Sequence, residues 1–166
     1  NKKVTAVDLG NSAYYAKNSF STIETNFFDY DTENTFDLVW GSHILEHQLN
    51  VGLFIQKAYQ HVKEKGLLAL TVPPLKPSIV GGHLTFWNMG LIFYNLVING
   101  IDCSNAHGLQ YGYNISVIVD VDKNSVIDID SLNLSYDVGD LEKLSKYFPF
   151  EAKQGFNGNL TRFNWS

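Results

Sequence analysis

The sequence predicts a Rossmann-like three-layer α/β sandwich, with a mostly parallel sheet and an antiparallel closing strand. Three observations predict it. The stretch Phe36–Pro74 reads as a buried strand (Phe36–Trp40), a polar loop, an amphipathic helix and a second buried strand (Leu67–Val72), which together make a βαβ unit. Leu67–Val72 is apolar on both faces, as a parallel strand covered on both sides should be. Ile115–Val121 has strong β propensity and follows Ile101–Tyr113 after a link of two residues at best, so these two runs should close the sheet antiparallel.

Taken in order, Val4–Leu9 is a short apolar run ending in an acid, a parallel strand with Asp8 at its carboxyl end. Gly10-Asn11-Ser12 breaks it, and Tyr14 to Ser21, which has no clean period, is expected to form a loop or one helical turn. Ile23–Tyr30 reads as another strand ending in Asp29, and Thr32–Thr35 as a polar turn. Asn50 is a suitable N-cap for the next helix, with Leu53, Phe54, Ile55, Ala58 and Val62 facing inward and Gly66 closing it at C′. Pro73, Pro74 and Pro77 then hold the chain extended, and Gly81-Gly82-His83 forms a backbone-permissive loop. Asn88 caps Met89–Asn99, which is apolar nearly all round and ends at Gly100. Residues 1–127 form the core in this reading. Residues 128–166 form an appendage packed on it, with a short helix at Leu141–Phe148 capped by Asp140 and stopped by Pro149.

Composition narrows the function classes. The chain has 166 residues, 45% of them hydrophobic, and no apolar run approaches the roughly 18 needed to span a bilayer, so a soluble, non-membrane protein is expected. The single Cys103 leaves no internal disulfide and fits a reducing, cytoplasmic compartment. A net charge of −5 without a basic stripe argues against nucleic acid as the main partner and for a small or neutral one. The chain opens on Asn1 rather than methionine, and a fragment or processed product is expected.

Phe36–His47 (FDLVWGSHILEH) resembles, nearly letter for letter, a pattern of class I S-adenosylmethionine-dependent methyltransferases of the small-molecule type. The following helix, the Lys65-Gly66 turn and the strand LLALTVPP match in order and spacing, and farther on His83–Trp87, the capped helix and Asn99-Gly100-Ile101 resemble a later segment of that family. The resemblance covers roughly residues 4–121. It departs at one place: the glycine-rich cofactor loop that follows the family's first strand does not occur in this sequence. Val4–Ser12 is then either a degenerate first strand, with Asp8-Leu9-Gly10 opening that loop, or the second strand, where the family carries a ribose-binding acid. The second placement is favoured, because too few residues separate Asp8 from Asp29 for a longer succession of elements. On that placement the first strand and its loop lie upstream of Asn1 or are lacking.

The resemblance implies transfer of a methyl group from S-adenosylmethionine to oxygen or nitrogen of a small molecule, with a sugar or glycan precursor the leading acceptor. It implies cofactor contacts from Asp8 and Leu9 (ribose), Asp29 and Tyr30 (adenine), and Gly41, Ser42 and His43 at the exit of the Phe36–Trp40 strand. His83 is the preferred general base, with His47 and Glu46 as an acid-base pair, since methylation benefits from removal of the acceptor's proton. Asp37, His61 and His107 read as structural. The apolar loop and helix from Leu75 to Val97, with the aromatic tail, would form the acceptor pocket. No metal is expected: His43 and His47 have i, i+4 spacing, but the order of the His-Glu-x-x-His motif is missing and no third ligand is evident. The alternative function is a methyltransferase-like binding or partner module without catalysis, and a homodimer is the assembly that a missing strand would favour.

Overall fold

The structure is a computed structural model and describes residues 2–11 and 21–166. The chain divides into two compact units, Asn1–Asn34 and Thr35–Ser166. In the first, β1 (Thr5–Asp8) pairs in parallel with β2 (Ser21–Glu24), and Asp8 and Glu24 stand opposite each other at the carboxyl ends. The loop expected at Ser12 and from Tyr14 onward falls on residues 12–20, outside those described. The strand expected to reach Tyr30 stops at Glu24. Asn26 turns the chain: its side chain accepts from Phe28 N at 3.0 Å, and its carbonyl accepts from Asp29 N at 2.9 Å and Tyr30 N at 3.1 Å. An asparagine that bonds the backbone two residues on competes with a strand ladder, and here it wins.

The second unit is built on a sheet of order β3-β4-β6-β5-β7. Its elements are β3 (Phe36–Ser42), α1 (Val51–Gln60), β4 (Val62–Val72), α2 (Met89–Ile98), β5 (His107–Tyr111), β6 (Asn114–Asp120), α3 (Asp140–Leu144) and β7 (Arg162–Phe163). Within this sheet β3 and β4 are parallel, and the β4–β6, β6–β5 and β5–β7 pairs are antiparallel. The expectation of a mostly parallel, three-layer sandwich is therefore overturned. The two-residue link Gly112-Tyr113 forces β5 and β6 into a hairpin, and β6 inserts beside β4 in the opposite sense.

The layer count fails for a packing reason. Gly41, Leu70, Val117 and Gly108 pair in one row across β3, β4, β6 and β5, so they share a face. A Cβ on Gly41 would lie 3.5 Å from the Phe54 ring of α1, and one on Gly108 would lie 2.5 Å from Met89 Sδ of α2. Both helices thus cover the same face, where Ile55, Ile92, Phe93, Leu96 and Val97 are fully buried at about 1.5–3 kcal/mol each. On the opposite face Leu38 is 50% and Trp40 63% exposed.

Both helix starts follow their asparagine caps: Asn50 accepts from Leu53 N at 3.1 Å and Asn88 from Leu91 N at 2.8 Å. The end of α1 does not follow the glycine. Phe36 N donates to His61 O at 2.8 Å, so β3 captures the chain at Val62, and Gly66 lies inside β4. The register shifts between Phe36 and Leu38, and a Cβ on Gly66 would sit 3.0 and 3.1 Å from the carbonyl oxygens of Asp37 and Phe36. Leu53, expected inward, is exposed, because α1 needs to cover one side only.

Residues 128–166 add β7 to the sheet and an aromatic cluster to the far side of α2. The Phe150 ring lies 5.5–5.9 Å from those of Phe93, Phe148, Phe156 and Phe163. Asp140, expected as an N-cap, is instead the first residue of α3, and Gly139 occupies the cap. Its buried carboxylate accepts from Ser135 N and Oγ (each 3.1 Å), Tyr136 N (2.6 Å), Asp137 N (3.3 Å) and Lys143 Nζ (3.3 Å). The amide hydrogen bond from Ser135 is the main cause of its pKa falling from 3.8 to about 2, against burial, which raises it. Among the described residues no helix is long and apolar enough to cross a membrane.

Candidate functional site

Because β3 and β4 are parallel, their carboxyl ends Ser42 and Val72 lie on one edge, and the loops leaving them meet there. Open α/β sheets bind ligands at such an edge. The first loop carries His43 and then a 3-10 turn at Leu45–His47; the second carries Gly81-Gly82-His83. Backbone hydrogen bonds stitch the loops together. Glu46 O accepts from Leu84 N at 2.7 Å and Thr85 N at 3.2 Å, and Thr85 Oγ1 donates to Leu45 O at 3.2 Å.

The stitching brings four predicted residues together. Glu46 is 1% exposed, and neither carboxylate oxygen accepts a hydrogen bond. His43 Nδ1 lies 3.3 Å and His47 Nε2 3.7 Å from Glu46 Oε1, both rings being partly exposed. His47 Nδ1 is 2.7 Å from Gly82 O, and its ring meets that of His83 edge-on with centroids 5.1 Å apart. Glu46, His47 and His83 each present a ligand atom, all within 4.8 Å of one another. The group differs from the His43 and His47 pair considered in the sequence: it leaves out His43 and takes His83 from the other loop. His43 is held with φ at 50°, a left-handed conformation unusual for a residue with a side chain, and its Nε2 donates to Asn114 Oδ1 at 2.8 Å.

The remaining predicted residues are distributed as follows. Ser42 is exposed at the end of β3. Gly41 points at the core, where a Cβ would be 3.1 Å from Ile44 and 3.2 Å from Leu70. Asp8, Leu9, Asp29 and Tyr30 belong to the first unit, and Gly41, Ser42 and His43 to the second. Asp8 ends β1, and its Oδ1 accepts from Gly10 N at 2.7 Å; Leu9 is exposed. Asp29 and Tyr30 lie in the Asn26 turn, and the acid at the end of β2 is Glu24. Of the residues judged structural, Asp37 pairs with Lys63 at 2.6 Å and His107 Nδ1 bonds Asn164 O.

The pocket expected from Leu75–Val97 and the tail corresponds in part to a cavity of about 320 Å³ between α2 and the tail, lined by Tyr94, Tyr136, Phe148, Phe150 and Phe156 among others. None of the four clustered residues lines it. His83 borders a separate small cleft with Lys76, Trp87 and Tyr113.

Sequence reasoning marked Gly82 only as part of a permissive loop, not as the partner of His47, and missed Asn114 and a hydroxyl chain on the open sheet face. In that chain Trp40 Nε1 donates to Thr71 Oγ1 (3.1 Å), Thr71 Oγ1 bonds Ser116 Oγ (2.8 Å), and Ser116 Oγ bonds Tyr111 OH (3.0 Å). A buried threonine and serine in otherwise apolar strands are its only signal. The chain matches no protein-family model and no curated protein sequence.

Proposed function

We propose that this chain takes part in S-adenosylmethionine-dependent methyl transfer to oxygen or nitrogen of a small acceptor, with a carbohydrate the leading class. The observation that carries the reading is the buried Glu46 carboxylate, flanked by His43 and His47 and neighboured by His83, at the carboxyl edge of the parallel pair. The donor would supply an electrophilic methyl group. The chain's own residues then have to hold the acceptor in line and take its proton. His47 is suited to taking the proton. Its Nδ1–H donates to Gly82 O, so Nε2 of the neutral ring is free to accept, with Glu46 beside it to stabilise the imidazolium. In the first unit, Asp8 offers an acceptor pair of the kind a ribose diol takes. A cytoplasmic setting goes with the reading, since Cys103 has no second cysteine to pair with.

Titration calorimetry with S-adenosylhomocysteine tests it. Micromolar binding, lost in Asp8→Ala, is expected. On an acceptor that turns over, His47→Ala and His83→Ala should each lower kcat about 100-fold or more with donor affinity unchanged. Absence of binding would refute methyl transfer by this chain. That outcome favours the second reading, a binding module without catalysis, which the aromatic cavity supports because none of the clustered residues lines it.

A further inference from the structure

We propose that Glu46, His47 and His83 form a three-ligand site for one divalent first-row transition-metal ion. The inference rests on the cluster alone and stands whether or not the methyl-transfer reading does.

Glu46 creates the demand for a cation. A carboxylate that is 1% exposed and accepts no hydrogen bond is costly to bury, so a native structure should give it a positive partner. Two groups face it, His43 Nδ1 at 3.3 Å and His47 Nε2 at 3.7 Å, and the tautomer of the His47 ring is set from the other side. Gly82 O can only accept, so Nδ1, at 2.7 Å, carries the hydrogen and Nε2 of the neutral ring presents a lone pair. Two electron-rich atoms therefore confront each other across 3.7 Å. A proton bridges badly over that span, because a charge-assisted hydrogen bond closes to about 2.7–2.9 Å. A metal ion bridges it well: with bonds of about 2.1 Å, two ligands of one tetrahedral ion sit about 3.4 Å apart.

The surroundings fit the same reading. Metal-bound histidines commonly donate their second nitrogen to a backbone carbonyl, as His47 does to Gly82. Gly82 has φ at 80°, and a Cβ there would lie 3.1 Å from His47 Nδ1, so a bare backbone is needed for this approach. The bonds from Leu84 N and Thr85 N to Glu46 O hold the His83 loop against the Glu46 turn without using either carboxylate oxygen. Two imidazoles and one carboxylate suit zinc, cobalt or nickel rather than magnesium or calcium. Three protein ligands would leave a fourth position for water or a substrate oxygen. A coordinated acceptor hydroxyl would be acidified by the ion, and the histidines would then hold the ion instead of the proton.

The test is calorimetry of the chelator-treated chain with Zn²⁺ alone, repeated with Co²⁺ and read by visible absorption. One equivalent per chain, with a dissociation constant in the micromolar range or below and a tetrahedral Co²⁺ spectrum, is expected. Glu46→Gln, His47→Ala and His83→Ala should each weaken binding about 100-fold or more, and His107→Ala should not change it. Circular dichroism of each variant separates loss of ligand from loss of fold, and His83→Asn on the half-buried loop gives a mild second probe. Absence of stoichiometric binding would overturn the proposal. Binding lost in His43→Ala but kept in His83→Ala would overturn the ligand set.

Discussion

The two long helices begin with the same pattern, Asn50-Val51-Gly52-Leu53 and Asn88-Met89-Gly90-Leu91, with the glycine at the second helical position of each. Replacing either glycine by alanine gains up to about 1 kcal/mol of helix propensity. The surroundings decide the sign. At Gly52 a new methyl would meet Asn99 Oδ1 at 3.1 Å, the tip of a side chain that can shift by a few tenths of an ångström. At Gly90 it would run into Gly158 Cα and lie 3.1 Å from Gly158 O and 3.2 Å from Gly158 C. That backbone cannot yield easily, because Gly90 N donates to Gly158 O at 2.9 Å and Asn88 Nδ2 to Asn157 O at 2.8 Å. Overpacking of this kind costs about 1–3 kcal/mol. Gly52→Ala should therefore be neutral to slightly stabilising. Gly90→Ala should lose up to about 2 kcal/mol net, or up to about 8 °C in Tm for a chain of this size. Chemical and thermal denaturation of the two variants, side by side, measures the difference. Equal stability in both would refute the close seating of the 157–159 turn on α2.

Acid titration and thiol chemistry give two more tests. Since folding lowers the Asp140 pKa from 3.8 to about 2, its contribution to stability is present above pH 3.8 and disappears as pH falls toward 2. Asp140→Ala should have a lower Tm at neutral pH and lose less of it over that acid window than the parent; an identical pH profile would contradict the carboxylate's role. Cys103 is fully buried, and burial followed by the nearby Asp102 pushes its pKa well up, so thiol reagents at about pH 8 should label it only after unfolding. Fast labelling of the folded chain would show that the site opens.

Features set by neighbours in sequence are legible, and features set by long-range pairing are not. Asn50 and Asn88 announce their helices because capping is local, and β3, α1 and β4 follow one another as the apolar runs suggest. Strand direction and layer number escape sequence reading because an apolar run looks the same in a parallel and an antiparallel ladder. Gly66 resembles a helix C-cap in sequence, and only the hydrogen bond from Phe36 N to His61 O shows that α1 has already ended. In the site, His43, Glu46 and His47 attract notice as a polar group in one loop. Their depth does not: Leu-Glu-His reads as solvated, and Glu46 is buried because residues 84 and 85 bond to its own carbonyl. That contact also brings His83 into ligand range, and it spans nearly 40 residues that no local pattern links.

The uneven reach of the sheet's pairings sets an order of assembly. The β5–β6 hairpin closes across two residues, and β3 and β4 are bridged by the Leu45–His47 turn and α1, so both pairings lie close along the chain. The β5–β7 pairing joins Gly108 to Phe163 and must wait for the whole tail. Nearby contacts form fast and distant ones late, since the entropy of closing a loop is spent before the contact repays it. Residues 36–88, which contain Glu46, His47 and His83 and both stitched loops, belong to the fast part. The edge that carries the Glu46 cluster can thus be complete while the aromatic tail is still searching for α2.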